Sequence, residues 1–265
     1  MQKPHQIGIA GLMMVAALLF PAGQSQGQTL RQSVPMTIEA DPALTRISVK
    51  VTPGLTKTRT LRDKSLQLAR VDMLAGKEIG DDALRGLALH QDGLAAQKYV
   101  RRLVAMGPAD HASDIAYFGS IAVSTGRVWT LPDAVEAMHR LDPETEPAER
   151  VKVYMAMLYP HAWAGNSLAL DALIDFNGDG RLFGPMSDRT RDRLVEQGEK
   201  AGDGRVLLRL ALILLQKPDI SLEEKALAAS YLHRSLAVNN LAVQTVAKTL
   251  LADLEANPTK ATQKE

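Results

Sequence analysis

AGNSLALDALIDF, residues 164–176, and AGDGRVLLRLALILL, residues 201–215, decide how this chain is read. Ala164-Gly165-Asn166 and Ala201-Gly202-Asp203 stand 37 residues apart, and Val238-Asn239-Asn240 follows after another 37. Each triplet precedes an aliphatic run, LALDALIDF, VLLRLALILL and AVQTVAKTLL, with the apolar spacing of a buried helix. Asn166, Asp203 and Asn240 are suited to cap those helices, because their side chains accept from the first unpaired backbone amides. A second helix lies between triplets, where Leu194-Val195 and Tyr231-Leu232 repeat the same interval. A period of this length in an aliphatic, helix-forming sequence predicts stacked helical hairpins, an all-α fold of the α-solenoid type.

Working outward, the helical pattern begins near Leu61. LRDKSLQLARVDMLAG stops at Gly76, Asp81 and Asp82 are placed to cap the next helix, and LAAQKYVRRLVAM runs to Gly107-Pro108. YVRRLVAMGP (99–108) reads onto YLHRSLAVNN (231–240), so the second helix of the unit recurs early. Asp92 stands three intervals before Asp203, but the residues after it align with a second helix, which keeps it out of the cap series. Residues 109–163 keep helical pairs without the spacing, and Pro160 falls in the last turn of a helix from Pro147 to Trp163.

The pattern in 164–254 resembles the Sel1-like branch of the tetratricopeptide repeats, on GNSLALDALIDFNGDG (165–180), GDGRVLLRLALILL (202–215), DRLVEQGEKAGD (192–203) and KALAASYLHRSLAVNN (225–240). It is fair over 62–107. Two departures stand out: no Gly-x-Gly loop follows Leu215, and Arg209 with its neighbouring leucines replaces small residues in one helix. The resemblance implies a non-enzymatic binding protein whose concave face holds other envelope proteins. Exported members include scaffolds of exopolysaccharide secretion and periplasmic regulators of a sensor kinase, and the sequence does not choose between them.

The remaining segments complete the domain plan. Lys3, the apolar run Ile7–Phe20 and small residues at Ser25 and Gly27 have the order of a signal peptide, expected over 1–27. Its removal implies a periplasmic or secreted mature form that does not span the membrane. Residues 28–60 form an expected extended arm, with short strands at Ser33–Ala40 and around Ile47, Val49 and Val51. The repeat domain covers 61–256. Its last helix is expected to act as a cap, with Leu241, Val243, Val246, Leu250 and Leu254 turned inward and Lys248, Thr249, Asp253 and Glu255 outward; 257–265 form a polar tail.

Composition excludes some chemistry. The chain has 265 residues, no cysteine and a formal net charge of +1, so disulfides, thiolate sites and a lipoprotein anchor are absent. The charge gives no reason to expect nucleic acid as a partner. Two stretches remain as candidate chemistry. DFNGDGRLFGPM (175–186) places Asp175, Asn177 and Asp179 at positions 1, 3 and 5 of a calcium loop and Gly180 at position 6. Position 12 is Met186 in place of a bidentate Glu, so an inter-helix turn is the favoured reading and calcium binding the alternative. GNSLA faintly resembles a nucleophile elbow, which would make Ser167 a hydrolytic residue, but no strand precedes it. No catalytic residue, cofactor or metal site is expected. The five histidines beyond the N-terminal segment (His90, His111, His139, His161 and His233) lack metal-ligand spacing, and the tryptophans and tyrosines read as packing residues or a binding face.

Overall fold

The computed structural model describes residues 49–202 and 204–256. Eleven α-helices follow one another there: α1 (Lys64–Leu74), α2 (Asp81–Leu89), α3 (Gly93–Met106), α4 (Ala112–Ser124), α5 (Leu131–Met138), α6 (Ala148–Trp163), α7 (Ser167–Phe176), α8 (Asp188–Ala201), α9 (Arg205–Leu215), α10 (Leu222–Leu236) and α11 (Leu241–Ala256). No strand occurs among the described residues. The expected strand around Val49 and Val51 is corrected over its described part: the backbone there is irregular, and a 3-10 turn at Thr58–Thr60 leads into α1. The signal peptide, the Ser33–Ala40 strand, Asp203 and the 257–265 tail lie outside the described residues.

Chain-neighbouring helices pack in contact: α2 on α3, α3 on α4, α4 on α5, α6 on α7, α9 on α10 and α10 on α11. α4 also touches α6, which carries the core past α5. The core is aliphatic and small-residue rich, with Leu87, Ala95, Ala96, Val100, Ala116, Leu158, Leu173, Leu194 and Leu232 at or near full burial. Burying one such leucine contributes about 1.5–3 kcal/mol. In a protein with few aromatics, these side chains let helices come close.

The helix starts are set locally. Asp63 caps α1, accepting from Ser65 N at 2.7 Å, and Asn166 caps α7, accepting from Ala169 N at 2.9 Å. Asn240 does the same for α11 through Val243 N at 3.2 Å. Ser221 and Glu224 form a reciprocal capping box at α10. One expectation is corrected. Gly80 holds the N-cap position of α2, while Asp81 and Asp82 fall in its first turn, where their charge still favours the helix dipole. Asp92, outside the 37-residue cap series, caps α3, accepting from Leu94 N and Ala95 N.

The 37-residue interval has a packing cause. A Cβ on Gly198 of α8 would stand 2.5 Å from Val206 Cβ of α9, so only glycine allows that approach. One interval later, Ser235 of α10 and Val243 of α11 hold the same positions, both buried. Ser235 turns its hydroxyl back to Tyr231 O at 2.8 Å, which removes a polar group from the seam. A small buried residue on one helix and a buried Val on the next therefore recur at the 37-residue interval. In α11, Val243, Ala247 and Leu251 are buried while Lys248, Thr249 and Asp253 are exposed. Leu241, expected inside, is 77% exposed because it is the first helical residue, ahead of the packed turn.

Candidate functional site

The candidate residues converge around the 177–187 connection between α7 and α8. After Ser167, α7 is apolar except for Asp171 and Asp175, which lie one turn apart and so share a face. Both meet Arg209 of α9: the guanidinium is 2.8 Å from Asp171 and is bonded directly to Asp175. Asp171 is buried, and desolvation raises its carboxyl pKa against the opposing pull of Arg209. Burial works to lower the pKa of Arg209, but the two carboxylates outweigh it and the net shift is upward. The three groups therefore act as an ionic clamp between α7 and α9. His139, just past α5, places Nε2 3.9 Å from the second oxygen of Asp175.

A run of rings starts at the same point. His139 lies 4.6 Å from Phe176, Phe176 5.4 Å from Phe183, and Phe183 6.3 Å from Tyr159. Tyr159 stands edge-on to Trp163 at 5.6 Å, and the Arg193 guanidinium covers Trp163 at 4.7 Å. Tyr159, Trp163 and Phe183 are each half-buried, so the run shows ring edges and faces to solvent. Beyond it, Arg189, Asp192, Arg193 and Glu196 line an open depression along one face of α8. Rings that are rigid, partly exposed and flanked by a guanidinium suit recognition of a protein surface.

The loop itself is closed by its own backbone. Phe183 N donates to Phe176 O at 2.8 Å and Gly178 N to Gly184 O at 2.7 Å. Asn177 is buried; its amide donates to Leu173 O at 2.8 Å and accepts from the Tyr159 hydroxyl at 3.1 Å. Arg181 turns back and donates to Asp175 O at 2.9 Å, covering carbonyls left free at the end of α7. The structure therefore separates the three residues of the calcium-loop pattern. Asp175 faces Arg209, Asn177 faces Tyr159, and Asp179 is exposed at the tip. Among the described residues no three His, Asp or Glu side chains are grouped to hold a metal ion. Ser167 is the first residue of α7, beside the Asn166 cap.

The other rings divide. Tyr99, Tyr154 and Tyr231 are buried; Trp129 is 65% exposed. Tyr154 donates to Glu146 at 2.5 Å, and Ser113, Arg150 and Asp114 extend that network, tying the 142–147 turn to α4. The sequence reading missed Arg209 and Arg181 as partners. Its one signal for Arg209 was the departure from small residues in VLLRLALILL, where a lone Arg in a buried helix demands a carboxylate. No helix of the described residues is long and apolar enough to cross a membrane. Comparison with known proteins returns no match: no family, no curated protein and no solved structure is significantly similar to the chain.

Proposed function

We propose that this chain is an exported interaction module of the cell envelope, a scaffold or regulator built from Sel1-like helical hairpins, with a binding rather than a catalytic role. The observation that carries this reading is the ring run from His139 through Phe176, Phe183 and Tyr159 to Trp163 under Arg193. Tryptophan, tyrosine and arginine are the side chains that dominate binding energy at protein interfaces. Here they are held rigid by α6, α7 and α8, so little entropy is lost when a partner docks. The 37-residue recurrence of Gly198–Val206 and Ser235–Val243 supports the hairpin assignment. The N-terminal run Ile7–Phe20 supports export.

Site-specific photocrosslinking in cells tests the surface. A crosslinking residue at Trp163 is expected to trap a defined envelope protein, whereas one at the exposed Glu149 on the same helix is not. Trp163→Ala should then weaken binding of that protein by about tenfold or more. Equal labelling from both positions, or binding unchanged by Trp163→Ala, would refute the assigned surface. N-terminal sequencing of the fractionated protein tests export: a start near Gln28 in the periplasm is expected, and full-length protein retained in membranes would overturn it.

A further inference from the structure

Residues 49–57 run across the ends of the helices, and their two halves are held very differently. On the C-terminal side, Leu55 N donates to Gln91 O at 2.9 Å, and Arg70 grips Leu55 O at 2.8 Å and the Thr58 hydroxyl at 2.5 Å. Arg70 is itself locked to Asp92 at 2.7 Å in a buried pair. On the N-terminal side, Lys50, Val51, Thr52 and Pro53 are all exposed. Their one backbone bond to the helices runs from Thr52 N to Ser124 O, 2.8 Å, at the end of α4.

Beneath this weaker half lies a cavity of about 50 Å³. Val49, Lys50, Val51 and Thr52 roof it, Val123 and Ser124 of α4 form one wall, and α6 supplies Ala156, Met157, Pro160 and His161. His161 is 3% exposed. Burial lowers its pKa, and no charged or hydrogen-bonded group contributes to that shift. Among the described residues, Lys50 is the one charged side chain on the cavity wall, and α4 and α6 supply no carboxylate there. From α7's side the contact is Asn166 N to His161 O, which leaves the ring untouched.

We propose that Val49–Pro53 form a latch over the α4–α6 seam and that a proton on His161 opens it, while Leu55–Thr60 stay clamped by Arg70. An imidazolium in this cavity would meet, among the described residues, a lysine and largely apolar walls, with Thr52 and Ser124 the polar exceptions and no carboxylate. Displacing the latch admits water to the ring. The sign follows from linkage: the closed state disfavours the proton and the open state accepts it. Closure is therefore fully favoured above the open-state value, about 6.5 for a solvated imidazole. It is lost progressively as pH falls from there towards the lower closed-state value. Within that window the opening constant rises about tenfold per pH unit. Opening uncovers the apolar Val123 and Met157, a surface distinct from the ring run and independent of the binding role proposed above.

Hydrogen exchange on the full mature chain, corrected for intrinsic rates, reads this at single amides. Between about pH 7.5 and pH 5, Thr52 is expected to lose protection progressively, with a slope of up to about tenfold per pH unit inside the window. Leu55, bonded to Gln91 O, is expected to keep its protection as the internal control. His161→Leu should hold Thr52 protected across the range, and His161→Gln serves if the leucine variant fails to fold. Lys50→Glu gives His161 a counter-charge in the closed state and should reduce the loss of Thr52 protection over the same range. Thr52 protection that stays flat in the native protein would overturn the proposal. So would an equal loss in the neutral His161 variants, or Leu55 opening together with Thr52.

Discussion

Arg70 and Asp92 stand 2.7 Å apart, with side chains 10% and 4% exposed, and each does a second task. Asp92 caps α3 through Leu94 N and Ala95 N; Arg70 holds the segment that enters α1 through Leu55 O and Thr58. The pair joins the entering segment, α1 and the α2–α3 corner. Removing one partner leaves the other charge buried and uncompensated, a loss of about 3–5 kcal/mol.

Asp92→Ala is therefore expected to lower unfolding free energy by at least that much, since the cap is lost as well. Asp92→Asn keeps a capping oxygen and should cost less. Urea denaturation of the two variants checks the order; Asp92→Asn as damaging as Asp92→Ala would show that the charge alone matters.

Gly198→Ala should destabilise by about 1–3 kcal/mol, because its Cβ would press on Val206 at the branch point, where no rotamer change gives relief. Val206→Gly, which removes the opposing Cβ itself, should recover part of that loss in the double variant. A non-additive cycle from thermal melts is the expected result, and simple additivity would remove the close contact as the cause of the 37-residue register.

What was legible in the sequence was local. Asn166 and Asn240 announce α7 and α11 because a cap acts on an amide three residues ahead, within one turn. The interval of 37 was legible because buried small residues, Gly198 and Ser235, and buried valines, Val206 and Val243, recur at it, and at Gly198 the close approach to α9 admits only glycine. The alternation around Val49 and Val51 misled because period two reports an extended backbone, and this segment is bonded to helix ends in place of a second strand. Arg209 with Asp175 and Arg70 with Asp92 were not legible as pairs, since their spacings of 34 and 22 residues are set by packing between helices. The spacing lost in 109–163 has its reason in the Val128–Thr130 turn before α5 and the Ser113–Glu146–Tyr154 network, which hold a longer connection.

Calcium should not bind to the 175–186 loop in the range of about 10⁻⁷ to 10⁻⁵ M typical of sensor loops. Asp175 is engaged by Arg209, and Arg181 places a second cation at the end of α7. Calorimetry on the mature protein is expected to show no heat in that range. A micromolar site abolished by Asp179→Ala would overturn this.

The C-terminal helix gives a prediction in which two truncations must differ. α11 covers α10 with Val243, Ala247 and Leu251, and half-buried Val246, Leu250 and Leu254 extend the contact. Its outer side carries Thr245, Lys248, Thr249 and Asp253, all exposed, as a terminal element of a helical array requires for solubility. Val243 also packs where Gly204 opens α9: a Cβ on that glycine would meet Val238 at 2.7 Å and Val243 at 3.2 Å. Losing α11 would thus strip the α9–α10 pair of its cover, beginning where Val243 packs on Gly204. Six apolar side chains leave the core, each contributing about 1–3 kcal/mol, a sum comparable with the whole stability of a domain. Deleting 240–265 is therefore expected to cause aggregation or a melting temperature lower by ten degrees or more, on the order of a few kcal/mol. Deleting only 257–265 should leave the melt unchanged. If the longer truncation melts like the native chain, α11 is not the cap of the array.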